Sequence, residues 1–219
     1  NLTVTGGTQA GSTMSLTHAD SAIERIIGGE GSDRFEVSAI PAAGLWLDGA
    51  NGGDQYTWSG AALGGLLTIA DSGTSGVDGA VVNGTTANET FVVSAQGIVR
   101  GDEHIALNAN VEQLVVQGLG GDDSFNVEFP GNLSVTIDGG THINGDSLNF
   151  NPLGFQATHN PGDETITGPD FATLHYLNME TVNFGKPNVW LALLNPTEVA
   201  EDGTGNLVYR ISRDGSTDY

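Results

Sequence analysis

The stretch Gly118-Leu119-Gly120-Gly121-Asp122-Asp123-Ser124-Phe125-Asn126-Val127 carries a pattern that recurs along this chain of 219 residues. The pattern, called the frame below, is Gly, two spacers, Gly, one spacer, Asp, and then apolar residues two and four positions after the Asp. Three more copies fit without a gap, and a fifth has two extra residues before its Asp. The frame aspartates are Asp33, Asp54, Asp78, Asp123 and Asp146. Spacings of about 22 residues, with one gap of twice that length, predict a repeat architecture with a degenerate copy near Asp102.

Each part of the frame has a physical meaning. Glycine permits a sharp turn, and a carboxylate placed after a turn can bind backbone amides or a cation. The alternation after the Asp predicts a strand with one buried face. One turn and one short strand cannot bury that face alone, so we expect an all-β fold in which successive copies stack. The side chains expected to point inward are those of Phe35, Val37, Tyr56, Trp58, Phe125, Val127, Leu148 and Phe150.

One copy points to a known family. The segment Gly28-Gly29-Glu30-Gly31-Ser32-Asp33-Arg34-Phe35-Glu36 resembles the GGxGxDxUx nonapeptide of the RTX, haemolysin-type calcium repeats. The resemblance implies a right-handed parallel β-solenoid, similar to a β-helix or β-roll, with coils of about 22 residues. It also implies that the five frame aspartates bind Ca²⁺ between stacked turns. The residues alone leave a second role open, in which each Asp caps backbone amides without a metal.

The frame stops at Lys186, and the remaining residues lack its pattern of glycine and aspartate. The residues that follow, Asn188–Leu194 and then Val199–Gly215, resemble over about 30 residues the first two strands of a Calx-beta domain, an immunoglobulin-like sandwich. That resemblance implies that Glu201 and Asp202 belong to an acidic calcium-binding tip. We therefore expect a β-solenoid domain over residues 1–185 and an incomplete Calx-beta-like segment over 186–219. A complete sandwich needs about 100 residues. These strands are thus expected to continue in a longer polypeptide or to complete a neighbouring copy, joined head to tail.

Composition restricts the partners. Asp and Glu number 27 against 6 Lys and Arg, for a net charge of −21. Such a chain repels nucleic acid and anionic membranes, and divalent cations would relieve its self-repulsion. The absence of cysteine excludes disulfides and thiolate metal sites. No apolar run is long enough to predict a transmembrane helix. Because calcium motifs of this kind need millimolar calcium, we expect a secreted or cell-surface bacterial protein.

Catalytic signatures are missing from the sequence. It has no GxSxG, HExxH, P-loop or dinucleotide-binding motif, and its five histidines are scattered without metal-ligand spacing. The sequence therefore predicts a non-enzymatic structural or adhesive module of a bacterial surface, surface-layer or filament protein. Two alternatives stay open. One is a carbohydrate-binding or carbohydrate-active β-helix, and the other is the calcium-binding secretion module of an exported enzyme.

Overall fold

A computed structural model describes residues 2–3, 24–40, 42–60, 64–108, 110–128, 130–185, 189–193 and 209–213. Within these ranges the chain forms strands and turns and no helix, so the all-β prediction is confirmed. The strands are β1 (Leu2–Thr3), β2 (Arg25–Ile27), β3 (Arg34–Val37), β4 (Leu45–Asp48), β5 (Gln55–Ser59), β6 (Leu67–Ile69), β7 (Gly79–Asn83), β8 (Thr90–Ser94), β9 (Gly97–Arg100), β10 (Glu103–Leu107), β11 (Gln113–Gln117), β12 (Ser124–Glu128), β13 (Ser134–Asp138), β14 (Ser147–Asn151), β15 (Thr158–Asn160), β16 (Thr165–Gly168), β17 (Phe171–Leu177), β18 (Thr181–Phe184), β19 (Val189–Leu193) and β20 (Tyr209–Arg213).

Two large mixed sheets contain most of these strands. The ten-stranded sheet has the order β1-β2-β4-β6-β10-β9-β8-β12-β14-β18, and the eight-stranded sheet has the order β15-β16-β17-β13-β11-β7-β5-β3. From β2 to β8, and again from β11 to β14, successive strands alternate between the two sheets. Neighbours from successive frame copies pair in parallel, with Phe35 opposite Tyr56 and Tyr56 opposite Ala80. Within one sheet, each copy therefore adds one strand beside the strand of the copy before it.

The frame changes sheets halfway along the chain. Asp33, Asp54 and Asp78 precede strands of the eight-stranded sheet, whereas Asp123 and Asp146 precede strands of the ten-stranded sheet. The change follows a segment in which β9 lies between β8 and β10 in one sheet and pairs antiparallel with both. The predicted degenerate copy near Asp102 is wrong, because Asp102 lies in the turn of a hairpin whose strands, β9 and β10, pair antiparallel rather than as stacked copies.

The apolar side chains of the frame lie inside. Of the eight predicted to point inward, seven are buried, and Phe35 is half-buried against the same hydrophobic cluster. This cluster is continuous and contains side chains from both large sheets. Aromatic rings stack from strand to strand, with centroids 5.0 Å apart for Phe35 and Tyr56 and also for Phe91 and Phe125. The predicted register of the frame strands is confirmed.

The last two strands form a sheet of their own. β19 and β20 pair antiparallel, with Leu191 opposite Ile211. They lie in the segment that the sequence sets apart from residues 1–185. The predicted calcium ligands Glu201 and Asp202 lie outside the described residues. In the described part of the chain, no helix has the length and apolarity needed to cross a membrane.

Candidate functional site

Four carboxylates form a row along the eight-stranded sheet, where β3, β5, β7 and β11 begin. They belong to Asp33, Asp54, Asp78 and Glu112. The backbone N–H of Asp33 donates to Asp54 Oδ1 at 2.7 Å, and that of Asp54 donates to Asp78 Oδ1 at 2.6 Å. The N–H of Asp78 donates to Glu112 Oε2 at 2.8 Å. Asp54, Asp78 and Glu112 therefore each cap the turn of the neighbouring strand, and we call the set of four the first row.

A second row repeats the arrangement on the ten-stranded sheet. Its members are Glu89, Asp123, Asp146 and Glu180, at the starts of β8, β12, β14 and β18. The N–H of Glu89 donates to Asp123 Oδ1 at 2.8 Å, that of Asp123 to Asp146 Oδ1 at 2.7 Å, and that of Asp146 to Glu180 Oε2 at 2.7 Å. The three glutamates of the two rows are outside the frame, so the spacing of the frame does not predict them. The recurring phrases Asn110-Val111-Glu112 and Asn178-Met179-Glu180 were the available signal.

In four of the five frame copies, the first glycine makes room for the carboxylate of its own copy, and the exception is Gly73. A Cβ added to Gly28, Gly49 or Gly118 would lie 2.4, 2.1 or 2.2 Å from the Oδ2 atom of the Asp five residues later. No side chain fits at such distances. The spacing from glycine to Asp therefore follows from the carboxylate packing directly on the glycine backbone.

Three carboxylate oxygens in these rows are buried without a hydrogen-bond partner. They are the Oδ2 atoms of Asp54, Asp123 and Asp146, residues that are 2%, 2% and 1% exposed. Burial raises the pKa of Asp54 and of Asp123 to about 6, and neighbouring carboxylates add to the rise. Backbone N–H donors oppose the increase. Buried unpaired oxygens of this kind need a proton or a cation to be stable.

One of these unpartnered oxygens, Asp54 Oδ2, belongs to a cluster of three buried carboxylates, those of Asp54, Asp71 and Asp78. All three residues are buried, and one carboxylate oxygen from each lies within 4.8 Å of the other two. Tyr56 donates its hydroxyl to Asp71 Oδ2 at 2.8 Å and accepts the Gly49 N–H at 2.6 Å. Ion pairs among the described residues do not include any of the three aspartates. These three carboxylates could hold a metal ion, and their oxygens are the ligands that hard divalent cations prefer.

The structure thus brings some predicted ligands together and separates others. Asp54 and Asp78 share a cluster, which also contains Asp71. Asp71 was missed because it precedes the frame, and its position two residues before Gly73 is a weak signal. Asp33 is one step along the row, half-buried, and accepts the Gly29 N–H at 2.7 Å. Asp123 and Asp146 lie in the second row, on the other sheet.

A shallow groove on the ten-stranded sheet is the second feature with exposed polar groups. Asn149 donates to Asn126 Oδ1 at 3.0 Å and accepts from Asn183 Nδ2 at 2.8 Å, which makes a row of amides across three strands. Among the described residues that line this groove, Glu128 is the only one with an acidic side chain. Glycoside hydrolysis by the usual mechanism needs two carboxylates flanking the bond. This groove offers polar contacts for a ligand but does not supply that pair.

Comparison with protein-family models, with curated proteins and with solved structures gave no match.

Proposed function

We propose that this chain is a calcium-stabilised structural or adhesive module of a bacterial surface, surface-layer or filament protein, built as a right-handed parallel β-solenoid. The observation that carries the proposal is the buried cluster of Asp54, Asp71 and Asp78. On this proposal, the frame copies are degenerate RTX-like repeats whose turns are held together by their carboxylates and by cations.

The strand order supports the solenoid part of the proposal. From β2 to β8 and from β11 to β14, successive strands alternate between two sheets, and strands of frame copies that lie on the same sheet pair in parallel. A chain that winds around one hydrophobic core produces this pattern. Strand–crossover–strand connections of parallel strands are right-handed in nearly all proteins, which supports the proposed hand.

The repulsion among the three buried carboxylates supports the binding of a cation. Three carboxylates within 4.8 Å of one another repel strongly when all are ionised, more so because they are removed from water. Burial and the neighbouring carboxylates raise the pKa of Asp54 to about 6, and burial also raises that of Asp78. At neutral pH the repulsion within the cluster therefore destabilises the folded state, and a bound divalent cation would offset it. The net charge of −21 acts in the same direction over the whole chain.

Thermal melting tests the proposal. We expect the melting temperature to rise on going from chelator to millimolar calcium, because a ligand at about 100 times its dissociation constant adds about 2.7 kcal/mol to the free energy of unfolding. The variant Asp71→Asn keeps the shape of the cluster and removes one charge, so it should lose most of the calcium response. Asp163→Asn, at an exposed turn, is the matched control and should keep the response. No calcium-dependent shift in the native chain would leave amide capping as the role of the two rows.

Calcium dependence also has consequences for where this protein would be found and what it would contact. Millimolar calcium is found outside cells, so a module that depends on it would be secreted or displayed at the cell surface. We propose that β19 and β20 begin a Calx-beta-like domain, with Glu201 and Asp202 as further calcium ligands. They would contact neighbouring domains of a longer chain or another copy of this chain.

The carbohydrate alternative has one observation in its favour, which is the amide row of Asn126, Asn149 and Asn183. Asparagine amides on a flat sheet can donate to and accept from sugar hydroxyls. Affinity electrophoresis of the native chain and of Asn149→Ala in gels containing soluble polysaccharides tests it. Retardation that disappears in the variant would favour glycan binding over a purely structural role. The secretion-module alternative shares the calcium test.

A further inference from the structure

The fifth frame copy differs from the others by two extra residues, and these change what lies at the end of the second row. The turn between Gly139 and Asp146 is longer than the corresponding turn between Gly118 and Asp123. It places His142 beside the last two carboxylates of the row. The Nδ1 atom of His142 lies 3.2 Å from Glu180 Oε2 and 3.6 Å from Asp146 Oδ2.

The Asp146 oxygen is independent evidence that this place is built for a ligand. The Asp146 side chain is fully buried, and its Oδ2 atom has no hydrogen-bond partner. Its other oxygen accepts the Asp123 N–H, so the carboxylate cannot turn away without breaking the row. The unpartnered atom therefore points towards His142 in a fixed orientation.

The distances suit a small tetrahedral ion. Two ligand atoms that are each about 2.1 Å from a common zinc ion, at the tetrahedral angle, are about 3.4 Å apart. The two separations measured from His142 Nδ1 bracket this value. Calcium rarely takes imidazole and needs six to eight oxygen ligands. Nitrogen and carboxylate donors together are typical of zinc and related first-row divalent ions.

The turn that carries His142 is held in place. Asp122 Oδ1 accepts the backbone N–H groups of Ile143, Asn144 and Gly145 at 2.9, 2.7 and 3.2 Å. Asp122 Oδ2 accepts from the Asn144 side chain at 2.6 Å. These bonds lower the pKa of Asp122, so the anchoring carboxylate stays ionised. The His142 side chain is 31% exposed, which leaves a path from solvent and room for water as a fourth ligand.

From this geometry we propose that His142, Asp146 and Glu180 form a second metal site, distinct from the buried aspartate cluster and selective for zinc or a similar first-row divalent ion. His142 Nδ1, Asp146 Oδ2 and Glu180 Oε2 supply three ligands. The ion ties the turn before β14 to the turn before β18 and neutralises the end of the second row. The proposal does not depend on calcium binding elsewhere in the chain.

Zinc titration of the metal-stripped full chain in millimolar calcium is the test, with binding followed by calorimetry. Cobalt is a second probe, because low-coordinate Co²⁺ gives intense visible absorption that calcium sites do not produce. His142→Gln removes the nitrogen ligand. Glu180→Gln removes a ligand charge and keeps an oxygen for the Asp146 N–H. His104→Gln, at an exposed position on β10, is the matched control.

We expect the native chain and His104→Gln to bind one equivalent of zinc with equal affinity. His142→Gln and Glu180→Gln should bind it at least tenfold more weakly, while their circular dichroism spectra stay native. Equal zinc affinity in the native chain and in both site variants would overturn the proposal, as would no zinc binding by the native chain. A lower melting temperature of His142→Gln with unchanged zinc affinity would also overturn it and would show that His142 only forms ion pairs.

Discussion

Glycine at the first frame position is required by packing rather than by backbone conformation. Gly118 lies outside the left-handed region, yet a Cβ there would be 2.2 Å from Asp123 Oδ2 and 2.6 Å from the Gly139 carbonyl oxygen. We predict that Gly118→Ala lowers the free energy of unfolding by about 1–3 kcal/mol or more, because the backbone oxygen cannot move aside easily. Gly162→Ala is the control, since a Cβ there meets nothing within 4 Å. Urea denaturation of both variants checks this, and equal stabilities would contradict it.

The buried carboxylate of Asp123 makes stability depend on pH. Its pKa rises from 3.8 to about 6 on folding, chiefly through burial. The folded state therefore holds this proton more tightly than the unfolded state. Its contribution is fully present below about pH 4, is lost as the pH rises through about 6, and amounts to about 3 kcal/mol.

We predict that Asp123→Asn removes this loss, because the amide keeps an acceptor for the Glu89 N–H and does not titrate. Urea denaturation in chelator at pH 4 and pH 7 measures the difference. The native chain should lose about 2.4 kcal/mol more than the variant over this interval, somewhat less than the full effect because the unfolded-state carboxyl is already partly ionised at pH 4. Parallel stabilities of the two proteins at both pH values would contradict the assignment.

At the scale of a strand, each frame copy is stabilised by the apolar row on its inner face. Phe125 on β12 is fully buried and stacks on Phe91 of β8, with ring centroids 5.0 Å apart. We predict that Phe125→Ala lowers the free energy of unfolding by about 3–5 kcal/mol. Val92→Ala, at a side chain that is 37% exposed on β8, should cost less than about 1 kcal/mol. Similar costs for both variants would mean that the row is not the core.

The strands could be predicted from the sequence because their signal is local. The alternation after each frame Asp fixes which side chains face inward, and Tyr56, Phe125 and Leu148 are buried as that pattern requires. The change of sheet could not be predicted in this way. It depends on the pairing of β8, β9 and β10, and the spacing of aspartates contains no information about antiparallel pairing.

The candidate sites were predicted in part for the same reason. Asp54 and Asp78 repeat with the frame, so their sequence spacing identifies them. Asp71 precedes its frame copy and His142 lies in the lengthened turn of the fifth copy, and only the folded chain places them beside the row carboxylates. The two extra residues of the fifth copy marked the turn that carries His142 but not what it would contact.

At the scale of the whole molecule, β19 and β20 bear on assembly. Within the described residues these two strands pair only with each other, and a two-stranded ribbon alone is marginal in water. We predict that they add to a neighbouring copy, so the full chain forms oligomers that a variant lacking residues 187–219 does not. Light scattering of both proteins measures this. The same polymers from the truncated chain, or a monomeric full chain, would contradict strand addition.

We propose that a bound cation offsets the electrostatic repulsion among the buried carboxylates of Asp54, Asp71 and Asp78. Crystals of the full chain grown in millimolar calcium, with anomalous data collected at long wavelength, locate calcium directly. We predict an anomalous peak bounded by Asp54, Asp71 and Asp78, with oxygen ligands at about 2.3–2.6 Å. An ordered cluster of the same three carboxylates without a peak between them would contradict calcium binding at this cluster.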